Sequence, residues 1–176
     1  RFHTGGAAGE TDTVYLGAFR RSALVAVGGF DEKFTRAQDW ELNHRLRLNG
    51  GRIYFEPRMK VTYRPRRNLR ALAQQYFEYG RWRRVVSRRH PGTINLRYLA
   101  PPFTVTASLI SIFLGALLHP LFFIPAGIYL LFLITASLWI GRAIAEKILL
   151  PMILLTMHFA WGIGFITSPK KLAQES

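Results

Sequence analysis

Asp39 and Glu41 stand at the head of "DWELNHRLRLN", residues 39–49, directly after the glycine-punctuated stretch "GGFDEKFTRAQ". Leu42 and Leu46 lie four apart and Asn49-Gly50 forms a stop, so the segment reads as a helix. A carboxylate in the first turn of a helix is favoured in its charged form by the positive helix end and by free backbone N–H groups. Asp39 is therefore expected to be ionised at neutral pH. An ionised Asp beside a substrate pocket can take the proton of an attacking hydroxyl, which is general-base chemistry. The plainer alternative is that Asp39 caps the helix and does nothing else.

Other residues with chemical potential are scattered. Asp12 opens an alternating stretch, where it either faces a sugar or orders a turn. Gly17, within "YLGAF", could let a substrate approach the backbone closely. Asp31 and Glu32 are expected to order the loop ahead of Asp39. The five histidines show no metal-ligand spacing, and the absence of cysteine removes disulfides and thiolate metal sites. His44 shares the Asp39 helix and is placed on its surface. His158 lies in an apolar stretch, where an interhelical hydrogen bond would account for it.

The elements that must position these groups follow from pattern. "DTVYLGAF" alternates as a half-buried strand does, and "RRSALVAVGG" reads as a short helix capped by Ser22 and closed by Gly28 and Gly29. "RIYFEP" and "KVTYRP" read as two strands, each ended by proline. From Asn68 a longer helix carries Leu69, Leu72, Tyr76, Tyr79 and Val86 on helical spacing, with a break made possible by Gly80. Arg81, Arg83, Arg84, Arg88 and Arg89 crowd its end around Trp82.

Charge divides the chain. It carries 24 Lys+Arg against 10 Asp+Glu, formally +14, and 20 of the basic residues fall in residues 1–100. Between Arg97 and Arg142 there is no charged residue for 44 positions, and between Lys147 and Lys170 none for 22. About 20 apolar residues suffice to cross a bilayer, and one central charge costs about 3 kcal/mol. The longer gap must fold back, with breaks at His119-Pro120 and Pro125. Spans are expected near 103–119, 121–141 and 148–167, the last interrupted early by Pro151. The domains are thus residues 1–100, ending in a basic juxtamembrane helix, and residues 101–176, a transmembrane region of two or three apolar helices.

Flanking cations mark the cytoplasmic side. "RWRRVVSRR" ahead of the first span puts the polar part in the cytoplasm, and a hairpin returns Arg142 and Lys147 to that side. A full third crossing would carry Lys170 and Lys171 outward, whereas a re-entrant segment would not; both remain open. The mixture of rings and arginines at 76–89 would suit RNA. Placed beside a membrane span, it is assigned to anionic lipid instead, and no nucleic-acid partner is expected.

Taken in order, "DTVYLGAFRR", "VGGFDE", "QDWELNHRLRLNGGRIYFEP", "YRPR" and "QQYFEYGRWRR" resemble the second half of family 2 glycosyltransferases. The likeness is to the membrane-attached bacterial enzymes that build exopolysaccharides such as succinoglycan, and covers about residues 8–100. It implies an α/β fold, the C-terminal half of a GT-A nucleotide-sugar transferase domain, followed by an α-helical transmembrane region. It also implies inverting transfer of a sugar from a nucleotide diphosphate to a saccharide or lipid-linked acceptor hydroxyl. In that family an acidic Glu-Asp pair supplies the base at its Asp. Here the pair is Gln38-Asp39, so the role carries to Asp39, with one like charge removed. Where relatives have Tyr-His this chain has Tyr63-Arg64, and no metal contact is assigned there.

The family's Gln-x-x-Arg-Trp motif is answered by Gln75, Arg81 and Trp82 at a longer spacing, which favours single addition over processive synthesis. Substrate contacts are therefore expected from Asp12, Gly17, Gln75, Arg81 and Trp82. The family's divalent cation, Mg or Mn, is held by Asp-x-Asp in the first half of the domain. No Asp-x-Asp occurs in this sequence. The resemblance and the initial Arg together place the donor-binding half upstream, with the active site at the inner membrane facing the cytoplasm. The alternative is a non-catalytic basic scaffold on a membrane anchor.

Overall fold

The structure, a computed structural model, describes residues 7–172 except 15, 61 and 63. The described residues up to Pro65, with those from Lys170, form one compact unit; Arg66–Pro169 form a second.

The first unit is built on two short helices, α1 (Arg21–Ala26) and α2 (Gln38–Leu48). Both end on glycines with positive φ: Gly28 at 78° and Gly29 at 72° after α1, Gly50 at 80° after α2. Residues with a Cβ resist that conformation, and glycine there lets the chain turn back on the last helical carbonyls. Gly29 N–H accordingly donates to Leu24 O at 2.8 Å, and Gly51 N–H to Leu46 O at 2.8 Å. Leu42, Leu46 and Ile53 make the buried core, flanked by Val14, Phe19, Ala23, Leu24 and Val27. The capping expected of Ser22 is not made: Arg20 occupies the cap position, and no side chain bonds the helix start.

Sheet is scarce among the described residues of this unit. Among the described residues one antiparallel ladder joins β1 (Gly9–Glu10) to β2 (Tyr54–Phe55). Among the described residues of 12–19 the expected strand does not form, and only two residues of "RIYFEP" are strand. Alternation marks a half-buried extended segment, but a strand also needs a neighbour to take its N–H and C=O groups. Leu16, with φ at 52°, interrupts the extended run as well. Of "KVTYRP", Val61 and Tyr63 lie outside the described residues, and no strand is seen in the rest.

The second unit is helical throughout. Asn68 caps α3 (Leu69–Arg89), its Oδ1 accepting from Ala71 N–H at 2.8 Å. No break occurs at Gly80. A Cβ there would stand 2.0 Å from Trp161 O, and one at Gly164 would stand 2.1 Å from Phe77 O. The two glycines therefore let α3 and α6 (Ile144–Ile166) meet backbone to backbone, as small residues do between apolar helices. Trp82, Val85 and Val86 are buried on α3. Ser168 Oγ donates to Arg81 O at 3.0 Å, and Arg88 donates to the carbonyls of Ser168 and Pro169, both at 2.9 Å. The helix expected to rest on lipid thus gives one face to protein.

Between α3 and α6 run α4 (Leu96–Leu117), a 3₁₀ turn (Pro120–Phe123) and α5 (Ile124–Ile140). The turn at His119-Pro120 is as expected. Pro125 stands in the first turn of α5, where its missing N–H costs nothing, and so begins a helix instead of breaking one. Pro101 and Pro102 lie inside α4, and Pro151 inside α6, without interrupting either. Ser111 Oγ joins α4 to the turn and to α5, donating to Phe122 O and accepting from Ala126 N–H at 3.1 Å. His158 makes the interhelical bond expected of it, with Tyr129 Oη at 3.0 Å. Three segments, Leu96–Leu117, Pro120–Ile140 and Ile144–Ile166, are long and apolar enough to cross a membrane. Phe103, Phe113, Leu131, Phe132 and Trp139 all point outward, a surface suited to hydrocarbon and not to water.

Candidate functional site

Asp39 is the second residue of α2, and Ala37 holds the cap position with φ at 61°. No side chain caps this helix, so Asp39 is not an N-cap. A non-glycine residue held at positive φ stores about 1 kcal/mol or more of strain, here one residue before the helix that carries Asp39. The half-buried carboxylate lines an open concavity of about 570 Å³ with Gln38 and with Phe30, Asp31, Glu32, Phe34 and Thr35 of the preceding loop. Burial pushes the Asp39 pKa up. That is opposite to the direction expected from the helix end, and desolvation is the stronger effect here.

The loop facing Asp39 is well held. Lys33 N–H donates to Asp31 Oδ1 and Phe34 N–H to Asp31 O, both at 3.0 Å. Phe34 is buried, and Phe30 packs edge-on against Phe19 with ring centroids 6.4 Å apart. Behind the helix, Glu41 is only 2% exposed. Its two carboxylate oxygens each accept from the Arg45 guanidinium at 2.7 Å. The same guanidinium donates to Val27 O at 2.5 Å and to Gly29 O at 2.8 Å. Glu41 and Arg45 were available in the sequence as an i,i+4 pair of the favourable order. Nothing in that spacing revealed that the carboxylate is buried, the guanidinium half-buried, and the pair turned toward a loop.

Asn43, fully buried, ties α2 to the segment after Asp12, its Nδ2 donating to Thr13 Oγ1 at 2.9 Å and Val14 O at 3.1 Å. Asp12 itself is exposed, with the Thr11 hydroxyl 3.4 Å away. The space beside Gly17 is already taken: a Cβ there would meet the Phe19 ring at 2.7 Å and Val14 at 3.0 Å. Gly17 therefore has its own neighbours packed where a side chain would stand. His44 stacks on Trp40 at 5.1 Å.

Gln75, Arg81 and Trp82 belong to the second unit. Gln75 accepts from Arg66 Nε at 3.0 Å and donates to Tyr79 Oη. Arg81 pairs with Glu78 at 2.9 Å. Trp82 is 3% exposed; its ring belongs to the packed interior and presents no open binding surface. Tyr63, the first half of the Tyr63-Arg64 pair, lies outside the described residues. Among the described residues no three His, Asp or Glu side chains converge to hold a metal ion. Among the described residues the cation the resemblance implies has no fitting donor set.

The model of glycosyl transferase family 21 matches residues 15–167. The succinoglycan biosynthesis protein ExoA of Rhizobium meliloti (strain 1021) is 32% identical over 151 residues, 83% of this chain. The chain spans 44% of that relative's length. No solved structure matches. The resemblance read from the ordered motifs holds at this level, that of bacterial exopolysaccharide glycosyltransferases.

Proposed function

The chain belongs to glycosyl transferase family 21, and from that premise we propose that it is the C-terminal, acceptor-side part of a membrane-anchored inverting glycosyltransferase. The whole enzyme moves one sugar from a nucleotide diphosphate donor to a hydroxyl of a saccharide or lipid-linked saccharide, in polysaccharide biosynthesis. The observation that carries this reading is the half-buried Asp39 carboxylate lining a concavity. Ionised, it takes the proton of the acceptor hydroxyl as that oxygen attacks the anomeric carbon and the nucleotide diphosphate departs with the bonding electrons. Partial burial leaves the carboxylate more basic than an exposed aspartate. Loss of an acidic neighbour at Gln38 is thereby offset by burial.

The GT-A sheet, the donor site and its divalent cation are assigned to the rest of the enzyme. The three apolar helices anchor the active site at the inner membrane, facing the cytoplasm, where nucleotide sugars are made. A lipid-linked acceptor would be delivered by the same membrane. Residues 1–176 alone are accordingly expected to bind nucleotide sugar weakly and to transfer none. Isothermal titration and a radiolabel transfer assay check this, and robust transfer by the segment alone would refute the division of labour.

The pH profile tests the base directly. Asp39 is active when ionised, and burial raises its pKa above the ordinary 3.8. Falling pH therefore protonates it earlier than it would an exposed aspartate. The acid limb of kcat/KM, which reports the free enzyme, is expected above pH 3.8. A limb at or below that value contradicts a desolvated Asp39 as the base.

A further inference from the structure

Arg45 uses its guanidinium on two things at once, the buried Glu41 carboxylate and the carbonyls on either side of Gly28. Gly28 and Gly29 both sit at positive φ, and a Gly-Gly corner has more conformational freedom to lose than any other pair of residues. Their N–H groups are tied back to Val25 and Leu24, while the carbonyls of Val27 and Gly29 are gathered by Arg45. The next residue is Phe30, where the wall of the Asp39 concavity begins. A buried ion pair adds little net stability over an apolar pair of similar volume, and its best-attested use is to fix one arrangement among several.

We infer that Arg45, locked by Glu41, is a positioning residue for the Asp39 cleft, fixing the Val27–Gly29 corner so that the Phe30–Thr35 wall stands opposite the carboxylate. The functional half of this statement rests on the proposed base role of Asp39; the structural half rests on geometry alone. Lysine cannot replace the arginine. Its ammonium is a single point and does not span two carboxylate oxygens and two carbonyls in one plane. With the corner released, the wall separates from Asp39 and water reaches the carboxylate. The charged groups sharing the concavity, Asp31 and Glu32, move away with it, and the loop cations Lys33 and Arg36 are solvent-exposed. The added hydration lowers the Asp39 pKa, because its rise comes from desolvation.

The test is Arg45→Lys in the full-length protein, read by hydrogen exchange and by transfer kinetics across pH. Amides of Gly28, Gly29 and Phe34 are expected to exchange about tenfold faster, with those of Leu42–Leu46 unchanged. kcat/KM is expected to fall by about 10- to 100-fold, and its acid limb to move to lower pH, which simple loss of folded protein would not cause. Unchanged exchange across residues 28–34 overturns the inference, as does faster exchange with kinetics and limb intact. If Arg45→Lys does not fold, Glu41→Gln takes its place, keeping the guanidinium but weakening its anchor. A smaller change of the same sign supports the inference; wild-type behaviour overturns it. Asp39→Asn measured alongside separates the two layers: wild-type transfer by that variant removes the base reading and the functional half, while the exchange result still decides the structural half.

Discussion

Asp39→Asn in the full-length protein is expected to lower sugar transfer by about 10²- to 10⁴-fold, the span that general-base catalysis contributes. That loss corresponds to roughly 3–5 kcal/mol of transition-state stabilisation. The amide is nearly isosteric with the carboxylate, so Phe30 and Phe34 keep their places, but it cannot accept the acceptor's proton. Folding should not suffer. The carboxylate makes no capping bond to α2, and burial already disfavours its charge. Membrane insertion, fixed by helices far along the chain, is expected to be unchanged by carbonate extraction. Transfer at the wild-type rate would exclude Asp39 as the base and return the chain to the scaffold alternative.

The second large effect is expected at the α3–α6 crossing. Gly164→Val should undock α3 from α6, because the new Cβ would fall 2.1 Å from Phe77 O. Such a contact is with backbone, which cannot rotate aside as a side chain can. Overpacking a well-filled interface costs typically 1–3 kcal/mol, and this site lies at the upper end or beyond it. Release of α3 would uncover Trp82, Val85 and Val86 and free Arg88 from the Ser168 and Pro169 carbonyls. The expected readouts are a lowered Tm in detergent and new proteolysis between Arg81 and Arg89. Gly127→Val is the control, since no atom stands within 4 Å of a Cβ there. Equal behaviour of the two variants would show that the close approach contributes nothing.

Local features were legible in the sequence where local physics decides them. The spacing of Leu42 and Leu46 and the glycine after Asn49 gave α2 to within a residue at each end. Asn68 announced α3 and does cap it. The apolar helices were readable from the missing charges, since nothing but an apolar environment tolerates such runs.

What failed depended on partners far away in the chain. "DTVYLGAF" has the alternation of a strand but finds no neighbour to pair with among the described residues. Gly80 looked like a weak point because its role is to admit α6, which nothing local discloses. Trp82, which the resemblance marks as a substrate contact, lies in the packed interior. The site was half legible: the acidic turn of α2 singled out Asp39, while burial, which reverses the expected direction of its pKa, is a tertiary property. Glu41 reads in the sequence as an acid at a helix start, and nothing beyond the i,i+4 spacing signals that its partner Arg45 also holds the Val27 and Gly29 carbonyls.

The union of α3 with α6 also sets an order of events during synthesis. Arg81 and Ser168, joined in the finished molecule, are 87 residues apart along the chain. At about 5–20 residues per second, a ribosome needs on the order of ten seconds to make the second after the first. Throughout that interval the newborn α3 carries an uncovered tryptophan and two valines beside a row of arginines. Such a helix would suit temporary residence among anionic headgroups, and on the membrane-anchored reading proposed above a lipid surface would serve first as its chaperone and only afterwards as its neighbour.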